Sequence, residues 1–367
     1  MQRNLKSNSV ASSIRVIPAV IYSIFILHMT LMNRTIYPDH IFYGLFWELK
    51  NHMWGDIFKN IALFVPFGFI IGGRKGVLLG FLFSSGIEAT QYVTRLGYCE
   101  LDDVLNNMVG TVLGILVNRG VREGSIVLRR WEELPEFMRT PEVRPYWEKL
   151  NKKRFQLGMK RAFDLCAACG VLVVTAIPMV VIAIAIKLDS KGPVFYRQER
   201  VTTYGKKFKI HKFRTMVSNA EKIGTSVTIS NDSRVPRVGS KLRNLRLDEL
   251  PQVFDVISGD MSFVGTRPEV TKYVKKYRPE FYATLLMPAG ITSEASIRYK
   301  DEYSLLSEAD DVDKVYIEEV LPAKMVWNLE SVRRFRFLRE ILTMCRTIVA
   351  VLGKDYNLSL IHISKPT

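Results

Sequence analysis

The 367-residue chain is poor in cysteine and short of acid. Its four cysteines, Cys99, Cys166, Cys169 and Cys345, suggest no disulfide framework. Cys166 and Cys169 have Cys-x2-Cys spacing, but no second pair exists to complete a zinc site. Both lie in an apolar run, where small buried thiols are ordinary. The first apolar segment is followed by no clear small-residue cleavage site, which argues against a signal peptide. Acidic residues number 36 against 52 Lys and Arg, a formal charge of +16. That balance suits nucleic acid, an anionic membrane surface or a phosphorylated substrate. The bases are interspersed with acids, and neither a recognition helix nor zinc-finger spacing stands out, so no nucleic-acid partner is expected.

Apolar content is 48% but unevenly placed, clustering in the first 120 residues and again before Lys187. The distribution predicts a membrane protein with a charged, soluble C-terminal part. Four spans are expected: Ile17 to Met32, Asp56 to Gly73, Gly76 to Val93, and a short one from Val104 to Val117. Asn60, Glu88, Asn106 and Asn107 weaken these spans individually and should face other helices rather than lipid. With four crossings, Arg3, Lys6, Arg15, Arg74, Lys75, Arg119, Arg122, Arg129 and Arg130 fall on one side, which should be the cytoplasm. Glu100, Asp102 and Asp103 fall on the other, as do Arg34, Lys50 and Lys59, which count against the assignment.

From Arg122 to about Arg154 the chain is charged and contains Pro135, Pro141 and Pro145, the composition of a cytoplasmic linker with short helices. Next, Ala162 to Ile186 is long enough to cross a bilayer at about 1.5 Å per residue. Pro178 sits beyond its middle, removes an amide donor and bends the helix. A kinked full span competes with a re-entrant helix that breaks and returns. The re-entrant form is favoured because it keeps the basic linker and the motifs beyond Pro193 in one compartment.

Beyond Pro193, PVFYRQERV and KKFKIHKFRTM alternate as strands joined by the turn TTYGK, and Ala220 to Pro236 reads as a loop. Leu247, Leu250, Phe254 and Ile257 recur at i, i+3, i+7 and i+10, which predicts an amphipathic helix with Asp248 and Glu249 near its start. Pro251 is tolerable in a first turn. Adjacent residues on a helix point about 100° apart, so the two carboxylates can divide labour, one attacking and one holding a metal. Arg200, Lys212, Arg214, Arg234, Arg243, Arg246 and Arg267 can converge on them. Guanidinium forks match phosphate oxygens, so a diphosphate substrate with magnesium would use this mix. Alone, an Asp-Glu pair is more often solvent exposure or helix N-terminal charge preference, and His211 more often a packed or surface residue.

Residues 158–300 resemble the bacterial sugar transferase family, the monotopic polyprenyl-phosphate sugar-1-phosphate transferases. KRAFD, GPVFYRQERV, KKFKIHKFRTM, DSRVPRVGSKLR, LDELPQ and GDMSFVGTRP match its motifs in its order. The resemblance implies a mostly α, mixed α/β domain with a re-entrant membrane helix at about 162–187, broken at Pro178. It implies transfer of a sugar-1-phosphate from a UDP-sugar to polyprenyl (undecaprenyl) phosphate through an aspartyl-phosphosugar intermediate, with release of UMP. Asp248 would be the nucleophile, Glu249 the magnesium ligand, and Arg243, Arg267 and Pro268 elements of the phosphate site. Lys212, Arg214, Gln198, Glu199 and Arg200 would form the remaining charged block. Thr266, Asp255, Arg246, Ala289 and Ser293 depart from the common pattern, which leaves the dyad intact and bears on sugar and nucleotide preference.

NIALFVPFG, GIEATQYV and LDDVLNNMVGTVLG are similar to the VanZ-like membrane domain, with Asn60, Glu88, Gln91, Asp102, Asp103 and Asn107 matching its polar pattern and Glu100 replacing a frequent aspartate. Such groups either lock helices together or form a small site near the outer face for a glycolipid or cell-wall component. The expected organisation is a four-helix VanZ-like membrane domain at 1–120, a charged linker at 121–157 and the transferase domain at 158–367. The expected location is the bacterial inner membrane, with catalysis on the cytoplasmic face among membrane lipids. Membrane-interface helices suit a homodimer. After Met325 the chain reads as helical and basic, and ILTMCRTIVAVLG either packs on the domain or lies at the membrane. The alternative function is a membrane scaffold or regulator of cell-envelope glycan assembly without transferase activity, against which the intact Asp248–Glu249 pair argues.

Overall fold

The computed structural model describes residues 2–32, 34–216, 235–299 and 311–352. Arg234 and nearly all of the expected loop at 220–236 lie outside these residues. The chain divides into two compact units, Met1–Glu123 and Gly124–Thr367.

The first unit contains α1 (Gln2–Leu31), β1 (Phe42–Tyr43), α2 (Trp47–Lys50), α3 (Trp54–Ile71), α4 (Gly73–Thr94), β2 (Cys99–Glu100) and all but the last turn of α5 (Leu101–Val127). Ile26, Phe64, Phe67 and Ile87 form its core, with Tyr22 and Phe83 packed against them. Helices α3 and α5 touch through glycine. A Cβ on Gly110 would lie 2.2 Å from the Ile61 carbonyl oxygen, and one on Gly114 2.0 Å from that of Val65. Small residues four apart permit this backbone approach between apolar helices. By length and composition α3 and residues Leu101–Glu123 of α5 can cross a membrane, and Val16–Leu31 is a shorter apolar helix. The last expected span is longer than its apolar run because its polar groups find partners: Asn106 bonds Glu48, and Asn107 bonds Ser84.

The second unit runs through α6 (Arg144–Asn151), α7 (Arg154–Asp189), β3 (Phe195–Val201), β4 (Lys207–Phe213), α8 (Arg237–Asn244), α9 (Gln252–Ser258), β5 (Met261–Val264), α10 (Thr271–Val274), β6 (Ala289–Thr292), α11 (Glu294–Arg298), α12 (Val312–Val315), α13 (Leu321–Arg333) and α14 (Phe337–Leu352). It is mainly helical. Strands β3 and β4 form the antiparallel hairpin that alternation predicts, pairing Phe195 with Phe213 and Val201 with Lys207. Strands β5 and β6 are parallel, with Met261 opposite Ala289 and Val264 opposite Thr292. The stretch 121–157 has linker composition, yet its apolar minority is core: Leu128, Leu134, Met138, Val143 and Leu150 pack with Leu286, Leu321 and Met325. Charged residues occupy the outside of that segment, and the few apolar ones carry its attachment.

Helix α7 is also long and apolar enough to cross a membrane. Its assignment as helix continues through Pro178, where a break is expected from sequence. Both its ends are fastened to the same unit. At the first end, Lys160 donates to the Val264 carbonyl at 2.8 Å and pairs with Glu340 of α14. Arg161 donates to the Val256 and Ile257 carbonyls at the C-terminal end of α9, at 2.6 and 3.2 Å. Asp164 accepts from the Ser262 hydroxyl at 2.8 Å and the Phe263 N–H at 3.2 Å. At the far end, Met179 and Ile186 pack with Phe213 and Leu242. Between the ends Val173, Val174, Ile177, Val180, Val181 and Ile184 are exposed.

Candidate active site

The site begins at Arg246, whose φ of +54° is left-handed. The reversal ends α8 and starts a 3-10 turn, Leu247–Glu249. Pro251 then occupies the N-cap of α9. A proline ring cannot supply an amide donor inside a helix, so α9 starts after it and leaves Asp248 and Glu249 on the tighter turn ahead. The predicted apolar stripe is only half-buried. Val253 and Val256 are buried more deeply, and Asp255 is 2% exposed. The helix is enclosed on several sides.

Three segments meet at Glu249. Lys212 of β4 places Nζ 2.9 Å from Glu249 Oε1. Arg267, just past β5, places Nη2 2.5 Å from the same oxygen. Burial pushes the Glu249 carboxyl upward, but Arg267 and then Lys212 outweigh it and hold it well below the usual carboxylate range. Burial lowers the Lys212 ammonium despite Glu249 beside it. Asp248 is shifted the other way. Its burial raises the carboxyl above the ordinary aspartate value, and the opposing fields of Lys212 and Arg243 do not cancel that. The turn therefore holds one firmly ionised carboxylate beside one that is more basic, and hence more nucleophilic, than an exposed aspartate.

Arg243 donates from Nε to the Thr215 hydroxyl at 2.8 Å. Arg200 lies behind Arg267. It donates to the Pro268 carbonyl at 3.1 Å and to Gln198 Oε1 at 2.6 Å, so it holds the backbone that presents Arg267. Arg214 serves the end of α7, with Nη2 2.7 Å from the Ser190 carbonyl and 2.9 Å from its hydroxyl. Its Nε and Nη1 are buried with no hydrogen-bond partner among the described residues. The Gly265–Gly290 contact fixes the Arg267 segment. Gly265 N–H donates to the Thr292 carbonyl at 3.0 Å and Gly290 N–H to that of Thr266 at 2.9 Å.

Sequence reasoning passed over the pairing of His211 with Asp255. Asp255 accepts from the His211 backbone at 2.8 Å and meets its Nδ1 at 2.7 Å. This clamp joins β4 to α9 one residue from Lys212. The only sequence signal was Asp255 itself, an acid among apolar residues of a helix.

The donor set fits magnesium. Both basic groups engage Glu249 Oε1, leaving Oε2 without a hydrogen bond among the described residues. Asp248 adjoins it, and magnesium takes one or two carboxylates together with substrate phosphates.

Residues 155–354 match the bacterial sugar transferase family, and the chain belongs to it. Residues 2–122 match VanZ/LLP1. The chain is similar to UDP-N-acetylgalactosamine-undecaprenyl-phosphate N-acetylgalactosaminephosphotransferase of Aeromonas hydrophila, 34% identical over 198 residues, 53% of this chain and 44% of that protein. It is 38% identical over 169 residues to UDP-glucose:undecaprenyl-phosphate glucose-1-phosphate transferase of Escherichia coli (strain K12), 44% of this chain and 36% of that one. A protein of that same name from Caulobacter vibrioides is 29% identical over 260 residues, 70% of this chain and 87% of its own length. The chain thus spans less than half of the first two relatives and most of the third.

Proposed function

We propose that this protein transfers a sugar-1-phosphate from a UDP-sugar to undecaprenyl phosphate, at the cytoplasmic face of a bacterial inner membrane. The observation that carries the reading is the turn at Asp248–Glu249, with one half-buried carboxylate held above the ordinary aspartate range beside one fixed by Lys212 and Arg267. The named activities of the relatives supply the substrate classes.

Asp248 is the nucleophile. A carboxylate oxygen attacks the phosphorus bonded to the sugar, and the bond between that phosphorus and the bridging oxygen of UMP breaks. UMP leaves with the electron pair, and an aspartyl-phosphosugar forms. An oxygen of undecaprenyl phosphate then attacks the same phosphorus. The bond to Asp248 breaks, its carboxylate is regenerated, and undecaprenyl-diphosphate-sugar departs. Dividing a displacement between two phosphate anions into two steps is the advantage of covalent catalysis. Arg243 and Arg267 neutralise phosphate oxygens through guanidinium forks. The Nε and Nη1 of Arg214, without a partner among the described residues, are further donors, since unsatisfied buried donors cost about 1–3 kcal/mol each. Glu249 Oε2 and Asp248 would hold magnesium, which offsets charge on the diphosphate.

Both ends of α7 bond the same unit while its middle exposes an apolar face. This arrangement supports a helix that dips into one leaflet with both ends on the same face, while staying helical through Pro178. It also keeps the lipid phosphate within reach of Asp248, because the carrier need not leave its leaflet.

The test is UMP release by the full chain in lipid nanodiscs, with undecaprenyl phosphate, magnesium and a panel of UDP-sugars. Release with at least one donor, abolished by Asp248→Asn, is expected. Folded wild-type protein that releases no UMP from any donor would refute the assignment and favour the scaffold reading.

A further inference from the structure

The first unit contains a second convergence of acid that the transfer reaction does not use. Glu48 of α2, Glu100 of β2 and Asp103 of α5 each bring a carboxylate oxygen to within 4.8 Å of the other two. They are 1%, 8% and 8% exposed.

The surrounding contacts hold this cluster in place. Asp102 accepts from the backbone N–H groups of Phe46 at 2.6 Å and Glu48 at 2.9 Å, fastening α2 to α5. Glu88 accepts from the Glu100 N–H at 2.9 Å. Parallel pairing of Tyr43 with Glu100 draws β1 to the same place. Asn106 donates to Glu48 Oε2 at 2.6 Å, and Asn60 donates to Asp103 Oδ1. Glu48 and Asp103 are thus each oriented by an amide donor.

Glu100 differs. Its side chain is directed at the other two and accepts no hydrogen bond among the described residues, while Arg34 supplies the positive field that acts on both Glu100 and Asp103. One acceptor here is orphaned: Asn107 Oδ1, buried one turn beyond Asp103 on α5, has no hydrogen-bond partner among the described residues. Ionising three carboxyls this close together is costly. Oriented carboxylates from separate elements, supported by outer amides, are the pattern that a metal site requires. An all-oxygen donor set selects hard cations over zinc or copper. Ligands drawn from α2, β2 and α5 suit calcium, which accepts irregular oxygen cages, better than magnesium, which demands an octahedron.

We propose that Glu48, Glu100 and Asp103 bind a hard divalent cation, calcium in preference to magnesium, within the first unit. This site is independent of the Asp248–Glu249 turn.

Terbium luminescence tests it. Trp47 adjoins Glu48 in sequence and stacks on Tyr43 with ring centroids 3.9 Å apart, so it supplies the antenna. Chelator-stripped full-length protein in nanodiscs is titrated with Tb3+, then with Ca2+ or Mg2+ as competitor. Wild type should give saturable sensitised emission, displaced by Ca2+ at lower concentration than by Mg2+. Glu100→Gln should weaken Tb3+ binding at this site at least about tenfold, and Trp47→Phe should remove the emission while Tb3+ still binds. As a second measurement, Ca2+ should raise the thermal midpoint of wild type and leave that of Glu100→Gln unchanged. No saturable emission, or emission unaltered in both variants, overturns the proposal. So does a Ca2+-induced rise in midpoint that persists in Glu100→Gln, or acids that titrate while neither Tb3+ nor Ca2+ binds.

Discussion

Arg267 Nη2 stands 2.5 Å from Glu249 Oε1 and so joins the segment after β5 to the turn before α9. With Lys212 on the same oxygen at 2.9 Å, the contact keeps Glu249 ionised. Its energetic counterpart is Asp248, which burial makes reluctant to ionise.

The first prediction concerns pH. Attack requires ionised Asp248, whose carboxyl is raised by burial. UMP release should therefore fall on the acid side with an apparent pKa above the ordinary aspartate value of about 3.9. For stability the sign is opposite. A carboxyl raised in the folded state contributes stability below its unfolded pKa, and this is lost as pH rises through its folded pKa. Asp248→Asn should accordingly be at least as stable as wild type at neutral pH, though inactive. A clear fall in its thermal midpoint would contradict the assigned direction.

Glu249→Gln should behave differently. It leaves two cations, Lys212 and Arg267, without their shared carboxylate, and the Lys212 side chain is 20% exposed. Removing one partner of a buried ion pair costs roughly 3–5 kcal/mol. Because Arg267 is 35% exposed, denaturant unfolding should show a loss below that range, together with a large loss of magnesium-dependent turnover. Unchanged stability would mean that the network contributes little.

Gly290 gives a packing prediction. A Cβ there would lie 2.1 Å from the Gly265 nitrogen, in backbone that cannot yield cheaply. Gly290→Ala should destabilise by about 1–3 kcal/mol and also lower transfer, because Gly290 N–H bonds the Thr266 carbonyl next to Arg267. Stability lost without any change in turnover would separate this contact from the site.

Pro178 tests the membrane path. Pro178→Leu restores an amide donor at the site of the expected bend and should bias α7 toward a straight crossing. A cysteine introduced at exposed Lys276, in a background lacking the native cysteines, reports its side by an impermeant maleimide. Accessibility should become mixed in the variant and stay on one face in wild type. Identical labelling in both would refute the role of the proline.

Much of the second unit is legible in sequence because its signals are local. The alternation around TTYGK fixes the β3–β4 hairpin and its register, and the dyad stands out as acid within a basic chain. Non-local placement is less legible. Arg214 resembles a phosphate ligand by motif, but only the folded chain brings Ser190 to its Nη2. Leu128, Leu134 and Met138 are outnumbered by charge in their segment, so composition conceals the core they join. The Glu48–Glu100–Asp103 convergence depends on a strand pairing of two residues, too short for any periodicity to reveal.

The most direct measurement is intact-protein and peptide mass analysis after mixing the full chain with its UDP-sugar donor and magnesium, without undecaprenyl phosphate. A sugar-phosphate adduct on Asp248, formed together with UMP and discharged when undecaprenyl phosphate is added, is the predicted result. UMP release with no adduct on Asp248, or an adduct that persists in Asp248→Asn, would contradict the account.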